Sequence, residues 1–413
     1  MLFLYRILIN IIFLISPLII IYRLIKKKED IKRFKEKLCF FTKKNIYGKI
    51  VWFHGASVGE LQSIVPLIER LGKRKDIKKI LVTSNTLSSS KVIQKLRLKK
   101  VIHQFFPIDT NFHTKKFLSN WNPSSAFFID SEVWPNMYLN LKKNKIPIIL
   151  INGRITKKSF NRWSIFSNFS KKIFTCFDLC LAANKESKIY LEKLGANKTK
   201  LLGNLKFSQS ENEKINISKN LKKLILSKTT WCASSTHNNE EEFCGLVHKK
   251  LKNKYKNLLT IIIPRHINRV NLITKQLNKM GLVTQTFQSN EKINKKIDIY
   301  IVDAYGKTKS FYYFCKNVFL GGSLIKHGGQ NPLEAVRYGC NVLHGPNISN
   351  FKEIYDFLKT NKISKKIVTK DNMVNSLIKL FSKKTDSKRI QKKLNYIGQK
   401  ILDSTYEEIK VKL

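Results

Sequence analysis

Glu60 closes the run HGASVGE, residues 54–60, directly after the apolar pattern IVWFH. Gly55 and Gly59 permit a tight turn at the carboxyl end of a strand, the edge where open α/β sheets hold their ligands. A carboxylate on that edge can act as general base toward a bound hydroxyl, although the helix dipole alone also favours Glu in a first turn. Asp130 and Glu132, in DSEVWPN (130–136), follow the strand pattern AFFI and reach the same edge; one of them can also serve as a helix cap. The next strand pattern ends at Asn152-Gly153-Arg154. Only 12 of the 78 basic residues are Arg, so an Arg in this chain marks a place where a planar fork is wanted. Arg265 is a second such place, just past IIIP, with His266 beside it and Arg269 near, and phosphate binding is its expected chemistry. Lys206, in GNLKF (203–207), precedes a polar segment and is expected to point into a cleft between domains.

The stretch Val318 to Gly339 carries a different chemistry. A short apolar run ends in Gly321-Gly322, a second glycine pair follows at Gly328-Gly329, and Asn331-Pro332 opens a helical pattern. Asn is a favoured N-cap and Pro a favoured first helical residue, so the N–H groups of this turn are expected to suit an anion. Glu334, two residues further on, can accept hydrogen bonds from hydroxyls such as those of a ribose. Ser234-Ser235-Thr236-His237 ends another strand pattern with hydroxyls suited to a phosphate or a sugar acid, and Glu240 to Glu242 reads as a helix start. No Asp-x-Asp supports a divalent-metal nucleotide-sugar site, and neither a P-loop nor a GxGxxG is present.

These segments need a scaffold, and the chain supplies one. From Lys49, short β-branched or aromatic runs alternate with helical stretches: IVWFH, a helix from about Glu60 to Lys73, KILVTS, a helix near Ser88 to Leu98, HQFF, SAFFID, IPIILIN and LCLAAN. After a polar segment the alternation resumes with TTWCASS, LTIIIP, IDIYIVD, NVFLGG and NVLHG. This pattern predicts two doubly wound parallel-sheet (Rossmann-like) domains facing a cleft. The expected boundaries are a membrane anchor at 1–28, a first domain at 29–207, a linker at 208–218, a second domain at 219–385, and a final helix at 386–413 packing back on the first domain.

The 413 residues are natural for two domains of ~150–200 residues each. A formal charge of +50 ordinarily raises nucleic acid as a partner, but the 66 Lys are spread over the whole chain, and membrane phosphates are the expected acidic partner instead. Leu2 to Tyr22 is almost wholly apolar, broken by Arg6, Asn10, Ser16 and Pro17, and Arg23 and Lys26 to Lys28 follow at once. Its length suits a bilayer of ~30 Å hydrocarbon, and its basic flank predicts a body in the cytoplasm. Spanning and lying in the interface are both open to it. The basic, apolar-interleaved stretch Lys32 to Lys44 is expected as a helix against acidic headgroups. The seven cysteines are odd in number and scattered, which points to a reducing compartment.

Taken in order, the motifs resemble those of the 3-deoxy-D-manno-octulosonic acid (Kdo) transferases of lipopolysaccharide synthesis. The resemblance rests on HGASVGE, FPIDT (106–110), DSEVWPN, INGRI (151–155), GNLKF, SSTHNNEEE (234–242), PRHINR (264–269), GGSLIKHGGQNPLEA (321–335) and GPNISNF (345–351). It implies an inverting glycosyltransferase of GT-B architecture that uses CMP-Kdo, a lipid A precursor as acceptor, and neither metal nor other cofactor. Glu60 then matches the general base, and Asp130 and Lys206 match residues that stabilise the transition state. Pro264 and Arg265, the run Tyr305, Gly306 and Lys307, and the run Asn331, Pro332, Leu333 and Glu334 match the CMP-binding segments. Two positions depart from the family pattern. Asp130 stands where the family carries Glu, and Lys307 reverses the charge of the family's Gly-Glu-Leu, leaving recognition there to the backbone. Another GT-B lipid glycosyltransferase or a sugar-nucleotide epimerase would share the fold without requiring HGASVGE, DSEVWPN and the apolar N-terminus together. A basic membrane-attached binding protein would leave Glu60, Arg265 and Glu334 without a task.

Overall fold

Runs of β-branched and aromatic residues, buried on both faces, build two parallel sheets. The structure, a computed structural model, describes residues 1–41, 46–209, 217–287, 294–383 and 385–413. The first sheet comprises β1 (Ile50–His54), β2 (Lys79–Ser84), β3 (Val101–Phe105), β4 (Ser125–Ile129), β5 (Ile148–Gly153), β6 (Leu179–Ala182) and β7 (Thr199–Leu201). The second comprises β8 (Thr229–Thr236), β9 (Leu258–Pro264), β10 (Thr284–Thr286), β11 (Ile299–Ile301), β12 (Asn317–Leu320), β13 (Asn341–His344) and β14 (Ser364–Lys366). Their orders are β3-β2-β1-β4-β5-β6-β7 and β10-β11-β9-β8-β12-β13-β14, with every pair parallel. Each sheet therefore reverses its winding once, between β1 and β4 in the first and between β8 and β12 in the second. Ligands of doubly wound sheets gather outside the carboxyl ends at this reversal. HGASVGE begins on the last residue of β1, DSEVWPN follows β4, SSTH closes β8, and the glycine-rich loop follows β12.

The chain clusters into two compact units, Met1–Gln209 with Ile397–Leu413, and Ser210–Tyr396. The final helix, Ser387–Lys410, begins in the second and ends in the first. The linker expected at 208–218 falls mostly on 210–216, outside the described residues. In the first unit Trp52, Phe117, Trp121, Phe128 and Tyr138 form one aromatic core. In the second, Trp231, Ile262, Ile299, Phe319 and Leu343 do the same. Fully burying one such large side chain stabilises by ~1.5–3 kcal/mol, so the strand ends carrying the motifs stand on a rigid base. All seven cysteines are buried free thiols.

Two N-terminal expectations meet the structure differently. Leu2–Ile25 is one continuous helix, long and apolar enough to cross a membrane. Three of its polar residues, Tyr5, Arg6 and Ser16, turn inward along the first unit, while Asn10 is exposed. The Tyr5 hydroxyl donates to Asp109 Oδ2 at 2.6 Å, Arg6 Nε donates to Asn136 Oδ1 at 3.0 Å, and Ser16 is buried. Phe13 packs on the His113 ring with centroids 4.7 Å apart. The other face is apolar apart from Asn10, with Phe3 78%, Leu14 75% and Leu18 70% exposed. The helix expected over Lys32 to Lys44 is instead a single 3₁₀ turn, Phe34–Leu38, with 42–44 outside the described residues. Its cause is Glu36, which is buried, grips Arg33 through both oxygens (2.7 and 2.9 Å) and accepts the Phe105 N–H. That ties the segment to β3 and turns Arg33 inward, onto the Phe105 ring.

Candidate active site

In the first unit the turn after β1 is built as a capping box. Ser57 Oγ accepts from Glu60 N at 3.3 Å and donates to Glu60 Oε1 at 2.8 Å, while Ala56 N donates to Glu60 Oε2 at 2.8 Å. Ser57 and Glu60 thus start the helix Val58–Gly72 and at the same time fix the Glu60 carboxylate on the sheet edge. Burial pushes the Glu60 pKa up, and the nearby Glu132 and Asp130 carboxylates push it further, against the Ser57 hydroxyl and the Ala56 N–H. A carboxylate raised in this way is a stronger base than an ordinary one.

Asp130 adopts a left-handed conformation (φ 65°), which Asp tolerates better than most residues. Its N–H donates to Ile151 O, and its carbonyl accepts from Arg154 N. The side chain is nearly buried and lies 3.5 Å from Lys206 Nζ. Lys206 is placed by two asparagines: Asn152 Oδ1 accepts from Leu205 N, and Asn204 Oδ1 from Lys206 N, both at 3.0 Å. Gly203 (φ 102°) makes the turn before them, where a Cβ would come within 2.9 Å of Ile401. The half-buried Arg154, expected as a fork, contributes its main-chain N–H to this arrangement.

Behind these groups lies a network that the motifs do not announce. His54, wholly buried at the end of β1, meets Thr83 Oγ1 through Nδ1 at 2.9 Å. Its Nε2 accepts from Trp134 Nε1 at 3.1 Å and lies 3.5 Å from Glu132 Oε2, which Trp134 also reaches at 3.0 Å. Burial lowers the His54 pKa, so the ring is neutral and its partners select the tautomer protonated at Nδ1. The only hint in the sequence is a polar ring closing a buried strand. Asp109, of FPIDT, likewise accepts from Asn136 N (3.0 Å) and Met137 N (2.9 Å), pinning the helix Pro135–Lys143 that DSEVWPN leads into.

The second unit gathers basic groups at the β8 and β9 ends. Arg265 N donates to Thr236 O, and the Arg265 side chain is exposed past Pro264. The His237 ring lies 4.3 Å from that of His327 and 5.9 Å from that of His266. Burial, then the His327, His266, Arg265 and Arg269 charges, lower the His237 pKa to about 4. An anion placed here would find cationic surroundings. Arg269 is committed elsewhere, forked on Glu241 at 2.9 and 3.1 Å. Of the hydroxyls expected to bind a ligand, Ser234 is buried and accepts from Tyr312, and Thr236 is buried as well; Ser235 is half-exposed.

The remaining expected contacts spread along the same edge. Tyr305 is exposed, Gly306 is left-handed (φ 74°), and Lys307 precedes the helix Thr308–Phe314 with its ammonium 5.6 Å from the Phe287 ring centroid. Asn331 accepts from Leu333 N at 3.1 Å, so the helix starts at Leu333, with Pro332 as its cap residue, and lasts five residues to Arg337. The Leu333 N–H expected to face an anion is therefore taken by the chain itself. In the glycine-rich loop, the N–H groups of Gly322, Ser323 and Leu324 all point at Glu240. Glu334 is half-buried, and its charge is felt at Tyr312.

A family model described as 3-Deoxy-D-manno-octulosonic-acid transferase (kdotransferase) matches residues 32–209. The chain is 32% identical over 373 residues to the 3-deoxy-D-manno-octulosonic acid transferase of Rickettsia bellii, covering 88% of each. It is 30% identical to a probable mitochondrial 3-deoxy-D-manno-octulosonic acid transferase of Arabidopsis thaliana, covering 85% of this chain and 82% of that one. Among solved structures, a putative UDP-N-acetylglucosamine 2-epimerase from Listeria monocytogenes superposes with a TM-score of 0.58 at 13% identity, covering 88% of this chain and 97% of that one. A glycosyltransferase from Rickettsia africae gives 0.58 at 13%, covering 89% and 99%. At such identities these two structures speak for the shared two-domain GT-B fold alone.

Proposed function

The chain belongs to the 3-deoxy-D-manno-octulosonic acid transferase family, and from that premise we propose that it transfers Kdo from CMP-Kdo to a lipid A precursor, with inversion at the sugar. The observation that carries this reading is the Glu60 carboxylate, held by its capping box at the β1/β4 reversal beside the Asp130–Lys206 pair. Glu60 Oε1 accepts a hydrogen bond from Ser57 and has a second lone pair suited to a substrate hydroxyl. In the proposed step the acceptor oxygen bonds to the anomeric carbon as its proton passes to Glu60, and the bond to the CMP phosphate breaks. The transition state carries positive charge on the sugar and negative charge on the departing phosphate. Asp130 and Lys206 offer it opposite charges from a nearly dry, preorganised pair. Arg265 meets the phosphate and Glu334 the ribose hydroxyls, with Pro264, Tyr305 to Lys307 and Asn331 to Leu333 shaping the nucleotide site. The proposed reaction draws its positive charge from these side chains and uses no metal. Mass spectrometry of the lipid after incubation with CMP-Kdo tests it: added Kdo supports the reading, and an unaltered acceptor overturns it.

Arg265→Lys keeps the charge and replaces a fork by a point. Calorimetry with CMP is expected to show clearly weaker binding, whereas an unchanged Kd would make Arg265 a surface residue.

The same reading places the bare face of Leu2–Ile25 in the inner membrane, with the body on the cytoplasmic side where the lipid acceptor is presented. A helix docked lengthwise through Tyr5, Arg6 and Phe13 suits the interface better than a span, because a span would carry the groups it packs on, Asp109, Asn136 and His113, into the hydrocarbon. Deleting residues 1–28 is expected to move the protein to the soluble fraction at high salt, where attraction through lysines is screened. It is also expected to lower Tm, since Asp109 loses a hydroxyl partner worth about 1.5–3 kcal/mol. A truncated protein that stays membrane-bound in high salt would refute the assignment.

A further inference from the structure

We infer that Glu240 is a positioning residue for donor binding, a built-in carboxylate that occupies the amide cradle of the glycine-rich loop and sets its course. The inference rests on the reading of the second unit as the nucleotide half. Glu240 opens the helix Glu240–Lys252 and is 1% exposed. Its Oε2 accepts from His237 N at 2.9 Å and Gly322 N at 2.7 Å, and its Oε1 from Ser323 N at 3.1 Å and Leu324 N at 3.0 Å. Four N–H donors fill the carboxylate's acceptor sites, so it is saturated without water. Three donors come from the loop after β12 and one from the turn after β8, the two strands that flank the reversal in this sheet. A single buried side chain thus staples together the two segments that form the ligand edge.

The backbone around it is built for this contact. A Cβ on Gly321 would lie 2.7 Å from Glu240 Oε2 and 2.5 Å from Ser235 O, so the loop closes on the carboxylate only because the residue is glycine. Gly322 then turns left-handed (φ 65°), where a Cβ would come within 3.3 Å of both the His237 and His327 rings. The staple therefore decides where His327 and the following segment to Glu334 begin. Burial pushes the Glu240 pKa up against the pull of the four N–H groups. Converging main-chain N–H groups of this kind are what hold phosphate in other glycine-rich loops. Here they are spent on the chain's own carboxylate, so the nucleotide phosphate must be met by other groups, Arg265 among them.

The test is CMP calorimetry on the full-length protein, with donor kinetics alongside. Glu240→Ala leaves an amide-lined hole, and CMP affinity is expected to fall about tenfold or more, as befits the loss of charge-assisted hydrogen bonds. KM for the donor rises, kcat at saturation changes less, and added formate, which fits the hole, restores affinity. Glu240→Gln fills the space but turns an NH2 toward amide donors; it is expected to bind CMP weakly without formate rescue, and it carries the test should Glu240→Ala not fold. Glu242→Ala, exposed on the same helix, is expected to match the wild type. Wild-type affinity in folded Glu240→Ala or Glu240→Gln would overturn this inference alone. Absence of CMP binding by the wild type would overturn the nucleotide reading and this inference with it.

Discussion

Glu60→Gln is expected to lower transfer by about 10²–10⁴-fold, the usual cost of losing a general base, while CMP binds as before. The fold should survive, because Gln serves in a capping box as Glu does and its carbonyl oxygen can still accept from Ala56 N. The effect is then chemical, and pH separates it from misfolding. The base works only when ionised, and burial together with Glu132 and Asp130 raises its pKa. The acid limb of kcat/KM in the wild type should therefore lie above the range of an ordinary carboxylate, with activity lost as pH falls through the raised pKa. In Glu60→Gln that limb should vanish from the residual rate. More than half the wild-type activity in this variant would remove Glu60 from the chemistry.

Lys206→Met is expected to cost about 10²–10³-fold in kcat, comparable to removing one preorganised donor from a transition state. Met preserves the length of the stem and deletes the ammonium 3.5 Å from Asp130, leaving a nearly buried carboxylate without that cation. A double-mutant cycle with Asp130→Asn gives the decisive reading. If the two charges act as a unit, the double variant should be little worse than the worse single one. Fully additive losses would show that Lys206 and Asp130 serve separate purposes. Asp130→Glu lengthens the carboxylate by one methylene, and at φ 65° the longer side chain must reposition, so a modest change in kcat is expected rather than a gain.

What could be read from the sequence follows from burial. IVWFH, KILVTS, AFFI and IIIP announce strands because both faces of their sheets are covered, which forces unbroken apolar runs. TKL, TQT and SKK form β7, β10 and β14 at or beside the sheet edges with little or no buried surface, and no apolar run marks them. Glycines and acids at strand ends placed the motifs on the ligand edge, because a doubly wound sheet has one place for them. Partners far apart in sequence were beyond reach. Glu240 meets Gly322 across 82 residues and His54 meets Trp134 across 80, so neither the staple nor the histidine network has a local signature. Glu36 shows the same limit, since one buried acid turned an expected surface helix into a turn against β3. Lys carried the least information, because in a chain with 66 of them only placement by Asn152 and Asn204 distinguishes Lys206.

The most direct test follows CMP release from CMP-Kdo by the full-length protein, with and without a detergent-dispersed lipid A precursor, wild type beside Glu60→Gln. The expected result is release that requires the acceptor, each CMP matched by one Kdo on the lipid, and near-complete loss of both in the variant. Release at the same rate without acceptor, or no release from the wild type under any condition, would contradict Kdo transfer driven by Glu60.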